Sequence, residues 1–411
     1  MSFYVTSLMF AIPIFIILIG IEAVAAGRMG IRVNRPADMI SSLSSGATNT
    51  LRDGINFGFI LISYTWLVDK LTLYKLDPVW LAVIIAFIVE DFAGYWLHRM
   101  NHRVNVFWNR HIIHHSSEEF NLSCALRQSI SDTVKFKAVF IVPAAVLGVP
   151  AHIFAVVGPI HLFMQFWYHT RLIDKMGWLE KVIVTPSHHR VHHAINPEYI
   201  DKNYSQIFIV WDKLFGSFQP ELAEVKPVYG ILRPAKTWNP VIINFKHLWQ
   251  LMKDALRTEK LWDKIRIWFM PTGWRPDDVA EKFPIHILTS PHKQIKYETK
   301  NSPLLILWSA TQMTIGLALM FHLFYISSLV STSITLVYAV FLVLHVFGYT
   351  SFLDKKNYAV YSEGIKFILG MALFGMNDLT WFGSGTSISI LIGLYLIISL
   401  AIAIYFIKTE T

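Results

Sequence analysis

The sequence contains little cysteine and little charge. Cys124 is the single cysteine among 411 residues, which excludes a disulfide framework within the chain and any zinc or iron–sulfur site that needs several thiolates. A metal bound by this chain is therefore held by nitrogen and oxygen atoms. Charged residues make up 16% of the chain and hydrophobic residues 54%, and this balance excludes an ordinary soluble domain.

The sequence also lacks a polybasic run. The net charge is +8, but Lys and Arg are scattered among aromatic and acidic residues. This distribution argues against a nucleic-acid partner and favours basic loops that face anionic lipid. Arg28, Arg32 and Arg35 directly follow the first apolar run, so the positive-inside rule predicts an external N-terminus.

Long apolar runs predict an all-α fold, namely a polytopic integral membrane helical bundle. Residues 4–26, 55–68 and 78–97 are predicted as spans, the second of them short and either tilted or interfacial. The apolar stretch 138–168 is broken at residues 148–150 by a Gly-Val-Pro turn signal. Each half would be about 20 to 27 Å long as a helix, which is too short for a full crossing. We therefore predict a re-entrant or tilted hairpin that returns the chain to the side it left.

The remainder of the chain changes character twice. A polar, aromatic-rich segment is predicted to lie along the membrane surface, because its amphipathic stretches alternate apolar faces with Lys and Arg. Four apolar runs then predict a separate bundle, at 303–326, 333–349, 363–376 and 386–407. The predicted division is a membrane-embedded domain at 1–240, an interfacial amphipathic segment at 241–302 and a C-terminal transmembrane bundle at 303–411.

Histidine is concentrated in two short stretches. HRMNHRVNVFWNRHIIHH (98–115) and HHRVHH (188–193) hold nine of the 17 histidines. On a helix, the spacings HxxxH and HxxHH place their imidazoles on one face. The residues in these three boxes are His98 and His102; His111, His114 and His115; and His189, His192 and His193.

Packed imidazoles without a cation would repel whenever protonated and would leave donors and acceptors unpaired. The three boxes therefore predict a metal site. Eight imidazoles exceed the four ligands of one tetrahedral zinc, so the count predicts two ions. Imidazole suits iron, zinc and copper alike, and the ligand type leaves the element open.

Other residues are expected to support these boxes. His169 is predicted as a ninth ligand, with His161 on the same face as a weaker candidate. His188 points off the face of the third box and is expected only to support a ligand. Asp91 and Tyr95 lie on the helix face of His98, where a carboxylate can accept the second N–H of a metal-bound imidazole. The alternative for Asp91 is a structural ion pair with an Arg.

The three boxes in a membrane protein resemble the fatty acid hydroxylase/sterol desaturase superfamily. The sequence segments around the boxes resemble one branch of this superfamily over about residues 35–235. These segments are DFAGYWLHRMNH, HHSSEEFNLSCALRQS, QFWYHT and TPSHHRVHHAINPEYIDKNYSQIFIVWDKLFGSF. The resemblance implies that the box histidines bind two iron ions and that residues 1–240 form the catalytic domain. Gln165 stands where other branches can carry a further histidine.

The activity implied by the resemblance is that of a non-haem di-iron monooxygenase. Such an enzyme uses O2 and tetrahydrobiopterin to hydroxylate the ether-linked carbon of an alkylglycerol lipid. The hydroxylated product is a hemiacetal, which separates into a fatty aldehyde and a glycerol derivative. The expected partners are the bilayer, the lipid substrate and an enzyme that regenerates the reductant.

The sequence segment SSEEFNLSCALRQS contains the remaining candidate functional residues. Glu118 and Glu119 are predicted to act beside the metal centre, and Asn121 and Arg127 to contact the pterin or the lipid headgroup. The sequence gives no geometry for choosing between those two ligands. The site is expected on the cytoplasmic face of a bacterial inner membrane or of the endoplasmic reticulum.

Two other functions are compatible with parts of this pattern. A sterol, carotenoid or fatty-acyl hydroxylase or desaturase would take its electrons from a protein donor instead of a pterin. A metal transporter or membrane scaffold can also carry histidines. A transporter, however, places its ligands at the bilayer midplane, in broken helices of a pseudo-repeat, and the sequence has neither feature.

Overall fold

The computed structural model describes residues 3–74 and 76–410 and is mostly helical. The first half of the chain contains α1 (Phe3–Arg28), α2 (Pro36–Gly54), β1 (Phe59–Ile60), α3 (Tyr64–Leu71), α4 (Val79–Arg103), α5 (Asn105–His115), α6 (Leu122–Ala125), β2 (Val134–Lys135), α7 (Val142–Val146), α8 (Ala151–Phe163) and α9 (Pro186–His192). The second half contains α10 (Val210–Leu214), α11 (Pro240–Arg257), α12 (Leu261–Arg266), α13 (Asp277–Lys282), α14 (Pro303–Ile326), α15 (Thr332–Leu353), α16 (Ala359–Gly375) and α17 (Thr386–Thr409).

The helical membrane fold expected from the sequence is confirmed. Among the described residues, five helices are long and apolar enough to cross a membrane, namely α1, α4, α14, α15 and α17. The weak apolar run near residue 370 forms α16, which packs between α15 and α17. The chain is therefore a multi-pass membrane protein.

The predicted span at 55–68 is wrong. Part of it pairs with β2 as the parallel strand β1, and the rest enters α3, whose eight residues reach only about 12 Å. Helix α2 lies beside the spans instead: its Ile40 shares a core with Phe352 at the end of α15, and its Leu51 with Phe324 at the end of α14. This helix was not predicted from the sequence because its other face is polar. The serines on that face are buried against protein and not against lipid, so the sequence shows no apolar run.

The predicted hairpin is present as two short helices. The chain leaves Lys137, which contacts Glu90 of α4, runs through α7 and turns at Gly148 with φ +75°. A Cβ on Gly148 would meet the carbonyl of Tyr74, so the turn needs glycine. Helix α8 then returns alongside α4 in the same direction, with Ile153 and its neighbours in a shared core. Helix α8 ends beside the middle of α4, where His161 bonds to Asp91, and the chain beyond it continues toward the end of α4 that carries the histidines.

Helix α11 covers the box helix α5. The His247 Nε2 donates to the Asn105 carbonyl over 3.0 Å, and the Leu248 amide donates to Asn109 Oδ1 over 2.8 Å. The Asn239 side chain caps the start of α11 and also donates to the Phe347 carbonyl of α15 over 3.1 Å. The segment expected only at the membrane surface thus begins with a helix that forms part of the wall around the histidines.

Candidate metal centre

The nine predicted ligands meet at the converging ends of four segments. Helices α4 and α5 are separated only by Val104, in extended conformation, so the first two boxes lie side by side. His169 follows the end of α8. Helix α9 carries the third box and begins with Pro186 at its first turn, a position that proline favours.

The histidines form two groups that cut across the boxes. Within each group, one nitrogen per residue lies within 4.8 Å of all the others. The five-histidine group contains His98, His102, His111, His115 and His192, and the four-histidine group contains His114, His169, His189 and His193. Each HxxHH box therefore contributes to both groups, and both groups can hold a metal ion.

Backbone carbonyls orient four of the rings. The Nδ1 atoms of His98 and His192 donate to the carbonyls of Tyr204 and Lys202 over 2.7 and 3.0 Å. In the four-histidine group, His114 donates to the Arg127 carbonyl over 3.2 Å and His169 to the Gln165 carbonyl over 3.0 Å. Each such bond fixes the proton on Nδ1 and leaves the Nε2 lone pair directed into the group.

The resulting lone pairs require a cation. His114 and His169 both carry their proton on Nδ1, yet their Nε2 atoms face each other at 3.3 Å. Two acceptors at that distance repel unless a positive ion lies between them or one ring is protonated. His102 Nε2 and His189 Nδ1 are also buried without a hydrogen-bond partner among the residues that the structure describes, an arrangement that buried polar atoms avoid. The donor set fits a metal that accepts imidazole nitrogen.

Protonation is the unfavourable alternative. Burial lowers the pKa of His114 to about 3. Burial, and then the neighbouring imidazoles, hold the pKa values of His169, His189 and His193 well below their usual range. These rings are therefore neutral near pH 7, which is the form that binds metal.

Asp91 does not hold a box histidine, and this prediction is corrected. Its carboxylate accepts from His161 Nε2 over 2.8 Å, from the amides of Ile207 and Phe208 over 2.9 and 3.0 Å, and from Trp211 Nε1 over 2.8 Å. Seven residues along a helix amount to about 10 Å, so Asp91 shares a face with the box but lies too far below it. The expected alternative, a pair with Arg, is also wrong.

Tyr95 lies one turn below His98 and likewise bonds elsewhere. Its hydroxyl is 2.8 Å from Ser217 Oγ and accepts from Arg99 Nη1 over 2.8 Å. The ring stacks on Phe215. Tyr95 therefore fixes the segment after α10 against α4 instead of touching an imidazole.

Glu118 and Glu119 are buried in an ion-pair network. Glu118 accepts from the Tyr297 amide over 2.6 Å, and burial raises the pKa of its carboxyl. Glu119 accepts from Lys296 Nζ over 2.7 Å, and Arg35 lies 4.0 Å from both carboxylates. The structure thus uses both residues to tie the segment before α14 to the loop after α5, and the bonds described for them reach no box histidine. Their role beside the metal centre stays a prediction.

Asn121 and Arg127 are committed to internal bonds, so the prediction that they contact a pterin or headgroup is also corrected. Asn121 caps α6 and donates to the Val33 carbonyl over 2.8 Å. Arg127 is buried and pairs with Asp38 of α2 over 3.0 Å. Its backbone nevertheless matters to the site, because the Arg127 carbonyl orients His114.

Two further candidates lie at the margin of the centre. His161 stays outside both groups and donates to Asp91, while His188 caps the start of α9 through Thr185. Sequence reasoning missed the segment 202–212, whose carbonyls orient His98 and His192 and whose amides at Tyr204 and Ser205 donate to Asp212. This segment belongs to the run TPSHHRVHHAINPEYIDKNYSQIFIVWDKLFGSF that carries the family resemblance, but nothing in its sequence showed that its carbonyls would face the rings.

A cavity of about 270 Å³ opens onto the histidines. His102, His115, His192 and His193 form its inner end, so it reaches both groups. Apolar side chains cover much of its wall: Trp108, Ile112, Ile231, Ile243 and Leu251. Further lining residues come from the segment after α9 (194–201), from α11, from the loops near 233 and 274, and from residues 285 and 287. The sequence did not associate α11 or these later loops with the boxes.

Residues 83–217, which carry every box, match the family described as fatty acid hydroxylase. This is the class that the membrane spans, the buried imidazoles and the apolar cavity define. The chain belongs to the alkylglycerol monooxygenase family, as the sequence resemblance predicted. The human alkylglycerol monooxygenase is 33% identical over 372 residues, which cover 90% of this chain and 82% of the relative.

Other relatives point the same way. The Xenopus tropicalis alkylglycerol monooxygenase is 34% identical over 346 residues, covering 84% of this chain and 76% of the relative. The ornithine lipid hydroxylase of Rhizobium tropici is 28% identical over 141 residues, covering 34% and 43% of the two chains. No solved structure matches the chain. The chain is thus a membrane lipid hydroxylase, an oxidoreductase of the monooxygenase type.

Proposed function

We propose that this protein is a di-iron monooxygenase that hydroxylates the ether-linked carbon of an alkylglycerol lipid. The observation that carries the proposal is the meeting of nine buried imidazoles in two groups beside an apolar cavity. The relatives named alkylglycerol monooxygenase favour the ether lipid over a sterol or a fatty acyl chain. Each group would hold one ion, and the proposed element is iron.

The overall reaction consumes O2 and two electrons. One oxygen atom enters the C–H bond next to the ether oxygen, and the other leaves as water after taking up two protons. The new hydroxyl group makes that carbon a hemiacetal, whose C–O bond breaks to give a fatty aldehyde and a glycerol hydroxyl. We propose a tetrahydropterin as the two-electron donor, regenerated by a separate enzyme.

The side chains of the protein prepare the site for this reaction. Bound iron supplies the O2-activating redox chemistry that amino-acid side chains lack. The carbonyls of Lys202, Tyr204, Gln165 and Arg127 hold the rings so that their free nitrogens point inward. Burial of the rings keeps water away, and the apolar wall near Trp108 receives the reacting end of the lipid.

The predicted domain arrangement stands as part of the proposal. Residues 241–302 would lie in the membrane interface, because α11 and α12 expose large apolar side chains beside basic residues: Phe245, Trp249, Leu256, Leu261, Trp262 and Ile265. We place this segment and the histidines on the cytoplasmic side. Glu224 and Asp77 are both exposed, and Asp77 precedes the start of α4 whereas the histidines follow its other end. With this topology, cysteines at the two positions should react with impermeant reagent from opposite sides.

Anaerobic reconstitution tests the chemistry. Purified protein loaded with ferrous iron is given O2, a tetrahydropterin and an alkylglycerol, and the aldehyde is measured. We expect aldehyde only with all components, and none from His114→Ala. Hydroxylation of a sterol or fatty acyl lipid with a reduced protein donor, with no aldehyde from the alkylglycerol, would favour the other function.

A further inference from the structure

One side of the cavity is cationic. Arg233, Lys246 and Arg275 line it together with two acids, Asp201 and Asp254. Both acids already have partners: Asp201 accepts from Arg103 Nη1 over 2.8 Å, and Asp254 accepts from Arg275 Nε over 2.7 Å. Within the described part of the chain, these two carboxylates therefore form their ion pairs with other residues, and Arg233 and Lys246 are left without a direct ion pair.

Arg233 and Lys246 bond only to neutral acceptors in the contacts described for them. Arg233 Nη2 donates to Gln250 Oε1 over 2.9 Å, and Lys246 Nζ donates to the Ala235 carbonyl over 2.6 Å. Burial lowers the pKa of both side chains; Arg275 lowers that of Arg233 further while Asp254 partly offsets this, and Arg233 and Lys236 lower that of Lys246. Two such cations in one half-buried wall repel each other, and an anion between them would remove that repulsion.

The wall that carries Arg233 is rigidly built. Gln250 is buried, and its Nε2 donates to Asp254 Oδ1 over 2.7 Å while its Oε1 receives Arg233. Asp254 is fully buried and also receives Arg275 at both carboxylate oxygens. Because this chain of bonds holds Arg233 by one nitrogen, the other guanidinium nitrogens stay available for a ligand.

We propose that Arg233 and Lys246 bind the phosphate of a lipid headgroup, so that the enzyme selects phosphate-bearing ether lipids over neutral ones. A guanidinium binds phosphate oxygens with strong, charge-assisted hydrogen bonds. The apolar residues Trp108 and Leu251 line the same cavity and would contact the first carbons of the alkyl chain. The identity of the lipid as an ether rests on the proposed function, whereas recognition of its phosphate does not.

Equilibrium binding tests this selection without turnover. Metal-free protein in neutral-lipid nanodiscs is titrated with 1-O-hexadecylglycerol and with its 3-phosphate. We expect the phosphate lipid to bind at least about 10-fold more tightly, since hydrogen bonds to charged groups are the strong ones. The preference should disappear in Arg233→Gln and in Lys246→Gln, and it should persist in part in Arg233→Lys.

The exposed Lys260 provides a matched control, because Lys260→Gln removes one charge from the protein outside the cavity wall. Each variant is used only if its melting temperature and iron uptake equal those of the wild type. Equal binding of the two lipids by the wild type overturns the proposal, whether or not aldehyde is formed in the activity assay. Glycerol 3-phosphate that binds as tightly as the phosphate lipid also overturns it, because the ligand would then be a soluble phosphate.

Discussion

Two regions of this protein bury polar side chains among apolar helices, and they do so differently. In the C-terminal bundle, Lys366 pairs with Glu363 over 2.6 Å, and Ser399 donates to the same carboxylate over 2.7 Å. His345 of α15 donates from Nε2 to the Gln312 carbonyl over 2.7 Å. In these contacts each hydrogen-bond donor faces an acceptor, and the Lys366 ammonium faces the Glu363 carboxylate.

The histidine centre has the opposite character. His114 and His169 direct lone pairs at each other, and His102 Nε2 has no partner. A buried cluster whose donors and acceptors match is complete as it stands and serves the fold. A buried cluster whose acceptor lone pairs point at one another lacks the donors or the cation that would satisfy them, and it is therefore incomplete without a ligand. The comparison separates the structural His345 from the candidate ligands better than sequence spacing does.

The largest effect, a loss of activity, is expected when the histidine centre loses one of its imidazoles. His114→Ala should lower aldehyde formation by more than about 100-fold, since even residues that only support a ligand change activity about 10- to 100-fold. Iron per chain should also fall, as measured by elemental analysis. His152, which is exposed, gives the control: His152→Ala should retain both. Full activity in His114→Ala would remove this residue from the centre.

Breaking the complete cluster should affect stability instead. Lys366→Met leaves the Glu363 carboxylate buried without its cation, which should lower the free energy of unfolding by about 3 to 5 kcal/mol. Iron per folded chain should be unchanged. The double variant Lys366→Met/Glu363→Met should recover much of the loss, because no charge is then left buried. Iron loss in the single variant with unchanged stability would contradict the structural role.

Substitution of Asp91 should lower stability, as in the C-terminal bundle, and should leave iron binding unchanged. Asp91→Asn replaces one acceptor oxygen with a donor that faces N–H groups, so the free energy of unfolding should fall by about 3 kcal/mol. The chain that still folds should bind iron normally. Asp69 is exposed, and Asp69→Asn should leave stability unchanged. A stable Asp91→Asn protein without iron would restore the prediction that Asp91 accepts a hydrogen bond from a metal-bound imidazole.

The smallest effect concerns pH. Burial lowers the pKa of His247 from 6.5 to about 4, so the folded protein binds this proton less readily than the unfolded chain does. The contribution of His247 to stability is therefore complete above pH 6.5 and is lost as the pH falls toward about 4. Denaturant unfolding should show a flatter pH dependence in this window for His247→Gln than for the wild type. An unchanged slope would mean that His247 binds its proton equally well in the folded and unfolded states, which would contradict the lowered pKa.

The sequence predicted which histidines lie close together, because the box spacings depend only on local helical structure. HxxxH and HxxHH place imidazoles on a helix face whatever the rest of the fold does. The division into two groups was not predictable, because it depends on how α4, α5 and α9 converge. Asp91 was misplaced for a related reason: shared periodicity identifies a face but gives no distance to the site.

Burial of polar faces by other helices accounts for the remaining differences. Helix α2 was missed because protein, not lipid, covers its serines. Arg127 looked like a ligand-binding cation, yet its partner Asp38 lies far away in sequence on that same helix. The cavity wall from α11 was equally hidden, since contacts between residues 105 and 247 leave no local signal.

The most direct test of the account is the amount of iron bound per chain. Protein purified without metal is reconstituted anaerobically with ferrous iron, freed of excess ion and analysed for metal and protein. We expect two iron ions per chain in the wild type and in His152→Ala, and about one after loss of His169 from the four-histidine group. A wild-type value of one or none, or a value that His169→Ala leaves unchanged, would contradict the proposal that the two groups each hold an ion.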